Sequence, residues 1–251
     1  MRPKKSHSQE INVNIADKTL LITGASRGIG RALVDEALRR GAKRVYAGTR
    51  GPLQHADARV TPVMLDVTSA ADIQRAAASI DSLDALVNNA GIAPYDDLSS
   101  VDVLERTFAV NLFGVLNVTR SFLPLLKRSR GAIINHLSLA ALAALPIIPA
   151  YSISKAAALN LTQSLRALLA GDGVKVYAVV LGPVDTDMNR GLNIPKVTAE
   201  SAARGIFDGL ERGEEDIFPD PVSQSVAQAW RNGAAKALER QFAAFVSGKA
   251  A

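Results

Sequence analysis

A tyrosine and a lysine stand four residues apart in Tyr151-Ser-Ile-Ser-Lys155. On a helix that spacing puts the phenol and the ammonium on one face. A phenol titrating at its ordinary ~10 is a poor base near neutrality. A neighbouring cation lowers that value, as general acid–base chemistry requires. Such a pair also arises by chance, so its company decides. Ser138 lies 13 residues before Tyr151, at the end of an apolar stretch, where its hydroxyl can donate to a substrate oxygen. Asn88-Asn-Ala-Gly91 ends another apolar stretch. Asn111 and Gly114 share one turn of a helical pattern. Asn is a mediocre helix former and Gly costs about 1 kcal/mol against Ala there, so the turn is expected to be irregular for a purpose.

A second set of residues suits phosphate. Thr23-Gly24-Ala25-Ser26-Arg27-Gly28-Ile29-Gly30 joins an apolar run to a helical pattern. Glycines allow a tight turn and close approach of backbone to ligand, and a helix N-terminus offers N–H groups to a pyrophosphate. The spacing is Gly-x-x-x-Gly-x-Gly, which departs from the usual dinucleotide fingerprint. That fingerprint continues with an acid about 20 residues on, at the end of the second strand, to bind a ribose hydroxyl. Here the strand ends Gly48-Thr49-Arg50. Arg50, with Arg27 nearby, suits a 2′-phosphate, so NADP(H) is expected over NAD(H).

These residues need a frame. Strands are expected over 19–23, 44–48, 60–65, 83–87, 131–137, 174–181 and, at an edge, 216–219. Helices are expected over 28–40, 70–80, 101–127, 151–170, 199–211 and 222–245. Strands buried on both faces and separated by helices imply a parallel sheet with crossover helices, an α/β Rossmann-type doubly wound fold of about seven strands. The link from 50 to 60 is too short for a crossover helix and should be a turn or a stub. No linker divides the chain, so one domain over 15–251 is expected behind a basic tail over 1–14 carrying Arg2, Lys4 and Lys5.

Composition excludes several chemistries. There is no cysteine among the 251 residues, so no disulfide, thiol nucleophile or thiolate metal site exists. His7, His55 and His136 form no metal motif, and no metal is expected. The surplus of 29 basic over 24 acidic residues, +5, suits a polyphosphate ligand, and the tail reads as solvated, without nucleic acid as partner. No apolar run has the length and flanks of a membrane span; 131–152 is broken by Asn135, His136, Pro146 and Pro149. Without an apolar leader the expected location is cytoplasmic.

Taken together, the chain resembles the short-chain dehydrogenases/reductases of single-domain type, from about Asp17 to Pro219. The motifs stand in the family's order: Thr23-Gly24-x-x-x-Gly28-x-Gly30, Asn88-Asn89-Ala90-Gly91, Asn111, Ser138, Tyr151-x-x-x-Lys155 and Gly182-Pro183-Val184-Asp185-Thr186. The resemblance implies an oxidoreductase in which Tyr151 is the general acid/base. Lys155 would hold the nicotinamide ribose and lower the tyrosine pKa, Ser138 would orient the carbonyl, and Asn111 would hold a water. It implies that Asp66 and Val67 meet the adenine, that Asn88, Ala90 and Gly91 line the adenine–ribose side, and that Thr186 and Val184 hold the carboxamide. Leu181 replaces a common proline before Gly182, so a looser turn is expected there.

The segment 139–150 joins Ser138 to Tyr151 and carries no charge. It should wall a site for a hydrophobic ketone, aldehyde or alcohol, with Ala140 and Leu145 contacting substrate and about half the segment packing. A short lid over about 188–203 brings Met188, with Asn189, Arg190 and Asn193 in reach. His136 reads as a packed residue rather than a base; Trp230, Phe242 and Phe245 read as packing. Two other functions remain open: reduction of a 3-oxoacyl group on a carrier protein docked at Lys127, Arg128 and Arg130, and nucleotide sensing or scaffolding without catalysis. Assembly as a homodimer or homotetramer through the long helices is implied by the resemblance.

Overall fold

The computed structural model describes residues 14–246; the basic tail and His7 lie outside them. Seven strands form one parallel sheet: β1 (Thr19–Thr23), β2 (Arg44–Thr49), β3 (Val60–Met64), β4 (Ala85–Asn88), β5 (Ala132–His136), β6 (Lys175–Val179) and β7 (Asp216–Ile217). Their order is β3-β2-β1-β4-β5-β6-β7. β1 is central and pairs Leu20–Ile22 with Ala85–Val87 of β4 and with Val45–Ala47 of β2. The chain reverses direction of travel across the sheet between β3 and β4, which opens a crevice at the carboxyl ends of β1 and β4. β3 carries Pro62 and lies at an edge, where a residue without an N–H is tolerated.

Helices cover both faces. α1 (Gly28–Arg39) and α6 (Ala199–Glu211) bury Leu33, Val34, Ile206, Phe207 and Leu210 against one face. α2 (Ala70–Ser79), α4 (Val115–Ser129) and α5 (Pro149–Leu169) cover the other with Ile73, Val118, Phe122, Leu126 and Leu165. A fully buried side chain of this size contributes about 1.5–3 kcal/mol, so these two layers carry the fold. Between β2 and β3 the chain makes only turns and irregular structure.

Two helical expectations need correction. The run 101–127 is α3 (Val101–Phe108), a π-helical turn at Ala109–Gly114, then α4. Gly114 is required there: a Cβ would lie 2.8 Å from Val67 Cγ2 and 3.2 Å from the Val67 carbonyl oxygen. By length and composition the run Val101–Ser129 could cross a bilayer; in this fold its apolar side packs on the sheet. The run 222–245 divides into α7 (Pro221–Arg231) and α8 (Ala234–Val246) at Asn232-Gly233.

A buried charge cluster fastens α8. Arg166 of α5 pairs with Asp216 of β7 at 2.8 Å and with Glu239 of α8. Lys236 of α8 reaches Asp216 at 2.8 Å and Glu239 at 2.9 Å. Trp230 of α7 donates its indole N–H to Asp216 at 2.8 Å. Trp230 packs as expected, whereas Phe242 and Phe245 are exposed on α8.

Candidate active site

The glycine loop is built on contacts that only glycine permits. Gly24 has φ +67°, and a Cβ there would meet Ala90 Cα at 3.0 Å. Gly28 has φ +53° and faces Thr186, with a Cβ 3.2 Å from its methyl. A Cβ on Gly30 would fall on the Gly24 carbonyl and 2.7 Å from Asn89 Nδ2. The first turn of α1 holds no acid, and Arg27 at its N-cap makes no side-chain cap. Ser26 is exposed and Ile29 packs against the core under the loop.

Beyond the loop, the Thr49 hydroxyl donates to the Gly51 carbonyl at 2.6 Å, and Arg50 is exposed. Asp66 accepts from the Thr68 hydroxyl and N–H at 2.7 and 2.8 Å. These bonds, then the nearby Arg50 cation, hold its carboxyl below the usual range. Arg27 does not join Arg50. It pairs with Asp187 at 3.0 Å, and Asp187 also pairs with Arg190. Nothing in the residue order singles out Asp187.

At the other side of the crevice Tyr151 occupies the first turn of α5, whose N-terminal Pro149 fixes the helical start. The Ala150 N–H lies 3.3 Å from a carboxylate oxygen of Asp96, which ties the 92–100 loop to this helix end. Ser138 ends the β5 edge in extended conformation and its oxygen accepts from Ala140 N–H at 3.1 Å. Lys155 is buried; its Nζ donates to the His136 carbonyl at 2.7 Å and lies 5.6 Å from the Tyr151 ring centre.

The electrostatics correct one expectation. Burial pushes the Tyr151 phenol above its ordinary value, and a hydrogen bond with Ser138 opposes this. The Lys155 ammonium lies over the ring and donates to the His136 carbonyl. Burial itself brings Lys155 down to about 8. His136 is brought down to about 3 by burial and then by the Lys155 cation, so its ring is neutral.

Asn111 is fully buried in the π turn. Its amide donates to Ile92 O and Ser154 Oγ and accepts from Ile92 N, each at 2.9 Å. Gly91 lies between it and the lysine: a Cβ there would sit 3.3 Å from Asn111 Oδ1 and 3.8 Å from Lys155 Nζ. The structure therefore brings Asn111, Ser138, Tyr151, Lys155 and Gly91 to one end of the sheet, with Gly24, Gly28, Gly30, Ala90 and Thr186 beside them.

Other placements differ from expectation. The Asn88 side chain is buried in a polar ladder, donating to Thr119 at 3.1 Å and Asn135 at 2.8 Å, and does not line the crevice. Its neighbour Asn89 does, through bonds to Thr23 O at 2.9 Å and Gly24 O at 3.3 Å. Gly182 is pinned rather than loose: its N–H donates to Asp220 at 2.8 Å, and the Leu181 carbonyl accepts from Leu139. A Cβ on Gly182 would lie 2.6 Å from Asp220 Oδ1, so this glycine faces α7. Val184 is buried and bridges Val197, closing the base of the lid. The lid itself ends at Thr198, because α6 begins at Ala199.

Of the proposed substrate wall, Leu139–Leu142 pack inward, Ala140 among them, while Leu145 and Ile147 are exposed. Met188, Ile194 and Tyr95 are exposed as well. Asn189 folds back on the Val184 carbonyl at 2.8 Å, and Lys196 is engaged with Asn189 O and Leu192 O. The basic knot is partly spent: Lys127 pairs with Asp172 at 2.8 Å, and Arg130 caps α4 in left-handed conformation.

The family model described as short chain dehydrogenase matches residues 18–196. A 2-(S)-hydroxypropyl-CoM dehydrogenase of Xanthobacter autotrophicus is 35% identical over 206 residues, 76% of this chain and 81% of that protein. A 2,3-dihydro-2,3-dihydroxybenzoate dehydrogenase of Escherichia coli is 36% identical, over 80% and 83%. The crystal structure of a short chain dehydrogenase from Burkholderia cenocepacia in complex with NADP aligns with a TM-score of 0.84 and 37% identity, over 91% of this chain and 98% of that one.

Proposed function

The chain belongs to the short-chain dehydrogenase family, and on that footing we propose that it uses NADP(H) to interconvert a hydrophobic ketone or aldehyde and its alcohol. One observation carries this reading: Ser138, Tyr151 and Lys155 converge at the carboxyl edge of the sheet beside a glycine loop that a Cβ would fill. The loop fits a dinucleotide, since Gly24, Gly28 and Gly30 leave the backbone bare at an uncapped helix start. Arg50 at the end of β2 supports a 2′-phosphate, and the NADP complex of the Burkholderia relative supports the same choice. NAD(H) is the alternative coenzyme.

Hydride supply or removal is the chemistry that a nicotinamide coenzyme held at the glycine loop would bring. The Tyr151 phenol gives a proton to the carbonyl oxygen in reduction and recovers it in oxidation. The Ser138 oxygen accepts from the Ala140 N–H and its hydroxyl pairs with the Tyr151 phenol, so a substrate oxygen would enter between these two groups. Lys155, whose Nζ lies beside the Tyr151 ring, would hold the coenzyme ribose. Asn111 fixes the 91–92 segment, and Gly91 keeps open the space next to Lys155 Nζ for a water.

Tyr95, Leu145, Ile147, Met188 and Ile194 are exposed apolar side chains on the three loops 92–100, 139–148 and 187–198, which supports an apolar substrate. The lid cations Arg190 and Lys196 already have partners, which favours a neutral substrate. We assign the chain to the cytoplasm and to a homodimer or homotetramer through α3–α4 and α5. There Leu104, Phe108 and Phe113 line a shallow apolar hollow, and Val101, Ile153 and Leu168 are exposed.

The test is a panel of hydrophobic ketones, alcohols and 3-oxoacyl thioesters with each coenzyme in turn. Turnover on neutral ketones with NADPH supports the reading. Activity confined to acyl thioesters, or coenzyme binding without turnover on any member, refutes it.

A further inference from the structure

His136 occupies the last position of β5, between the two halves of the site. Its carbonyl accepts from Lys155, and its ring Nδ1 lies 2.9 Å from Asn89 Oδ1. The Asn89 amide nitrogen is committed to the Thr23 and Gly24 carbonyls of the glycine loop. Its oxygen can only accept, so the imidazole must carry its proton on Nδ1.

We infer that His136 is a positioning residue for coenzyme binding: its Nδ1–H locks the Asn89 amide in the one orientation that clamps the glycine loop. Without that donor, Asn89 Oδ1 loses its partner and the amide gains nothing by keeping its nitrogen on Thr23 and Gly24. The loop has little slack. Thr23 Oγ1 accepts from the Asn89 and Ala90 N–H groups at 3.0 Å each, and the Gly30 Cα approaches the Asn89 amide too closely for any side chain. A turn of Asn89 therefore moves the backbone that receives the pyrophosphate. The ring stays neutral beside Lys155, which keeps the Nδ1 proton a donor and not a second charge.

This inference rests on the proposed coenzyme site, and the experiment separates the two. Coenzyme dissociation constants are measured by titration of NADPH into the wild type and into His136→Val, His136→Asn and His136→Gln, with kcat and coenzyme KM alongside. The Asn amide nitrogen falls where Nδ1 lies; the Gln one falls near Nε2. His136→Val and His136→Gln should weaken NADPH by about ten-fold, chiefly in Kd and KM rather than kcat, while His136→Asn stays near the wild type. Equal affinities for the Asn and Gln variants, whether both retained or both lost, overturn the positioning role. A wild type that binds neither NADPH nor NADH overturns the coenzyme site itself. If the Val variant fails to fold, the Asn–Gln comparison still decides.

Discussion

Lys155 donates to the main-chain carbonyl of His136 at 2.7 Å while its ammonium stands 5.6 Å from the centre of the Tyr151 ring. The cation is thus held beside the phenol but aimed elsewhere. In the free protein it stabilises a carbonyl dipole, and the phenol keeps its proton.

Replacing Tyr151 by Phe removes the acid without altering the packing of the ring. Turnover should fall roughly a hundred- to ten-thousand-fold, the usual range for a lost general acid. NADPH affinity should not change. Titration and steady-state kinetics on the same preparation check both, and undiminished turnover would exclude Tyr151 as the proton carrier.

Lys155 should give the free protein a distinctive stability profile. An unfolded lysine keeps its proton to its ordinary 10.5, and the folded one releases it near 8. Between those values the unfolded chain binds more protons, so stability rises with pH. The full contribution is about 3 kcal/mol. Tyr151 works oppositely above ~10, where only the unfolded phenol ionises, and limits the gain. Lys155→Met should flatten the rise and stabilise the protein near neutrality while abolishing turnover. Urea midpoints across about pH 7–10 test this; a wild-type profile flat over that span contradicts it.

Coenzyme choice should rest on Arg50 and be tuned by Asp187. Arg50→Ala should weaken NADPH about ten-fold or more and leave NADH alone. Asp187 competes with a phosphate for Arg27. Asp187→Asn should therefore tighten NADPH by about two- to five-fold at low salt, an exposed ion pair being worth that much, and do nothing in an Arg27→Ala background. Additive effects of the two substitutions would show that Arg27 and Asp187 act independently.

The glycine loop offers a paired control. Gly30→Ala places a methyl on the Gly24 carbonyl and should cost about 3 kcal/mol or more, with coenzyme binding lost. Gly51 has nothing within 4 Å of a would-be Cβ. Gly51→Ala should shift the thermal midpoint little. Similar losses at both positions would deny the loop its tight geometry.

Much of this was readable from residue order. The apolar runs Leu20–Ile22 and Ala132–Ile134 are too short for helices and lie in strands with neighbours on both sides, and Ala199–Glu211 carries a helical period from cap to end. Asn111 and Gly114 flagged the π turn as an irregularity, though its extent follows from Val67 packing on Gly114. The Asn232-Gly233 stop stands in the sequence, masked by the apolar period on both sides of it. What spacing could not show was side-chain direction. Adjacent strand residues face opposite ways, so Asn88 went to the ladder and Asn89 to the glycine loop. The phenol pKa reversed because burial, which no local pattern reports, outweighs a cation pointed at another acceptor.

The clasp between Arg166, Asp216, Lys236 and Glu239 has a consequence for synthesis. α5 carries Tyr151 at one end and Arg166 near the other. Until translation has passed Glu239 and freed it from the ribosome, the Arg166 guanidinium and the Asp216 carboxylate lack two of their partners. A nascent chain can pair its strands early, but the helix bearing Tyr151 gains its distal anchor among the closing steps. Stalled or prematurely released chains would therefore hold a loosely seated α5 and be ready targets for proteolysis.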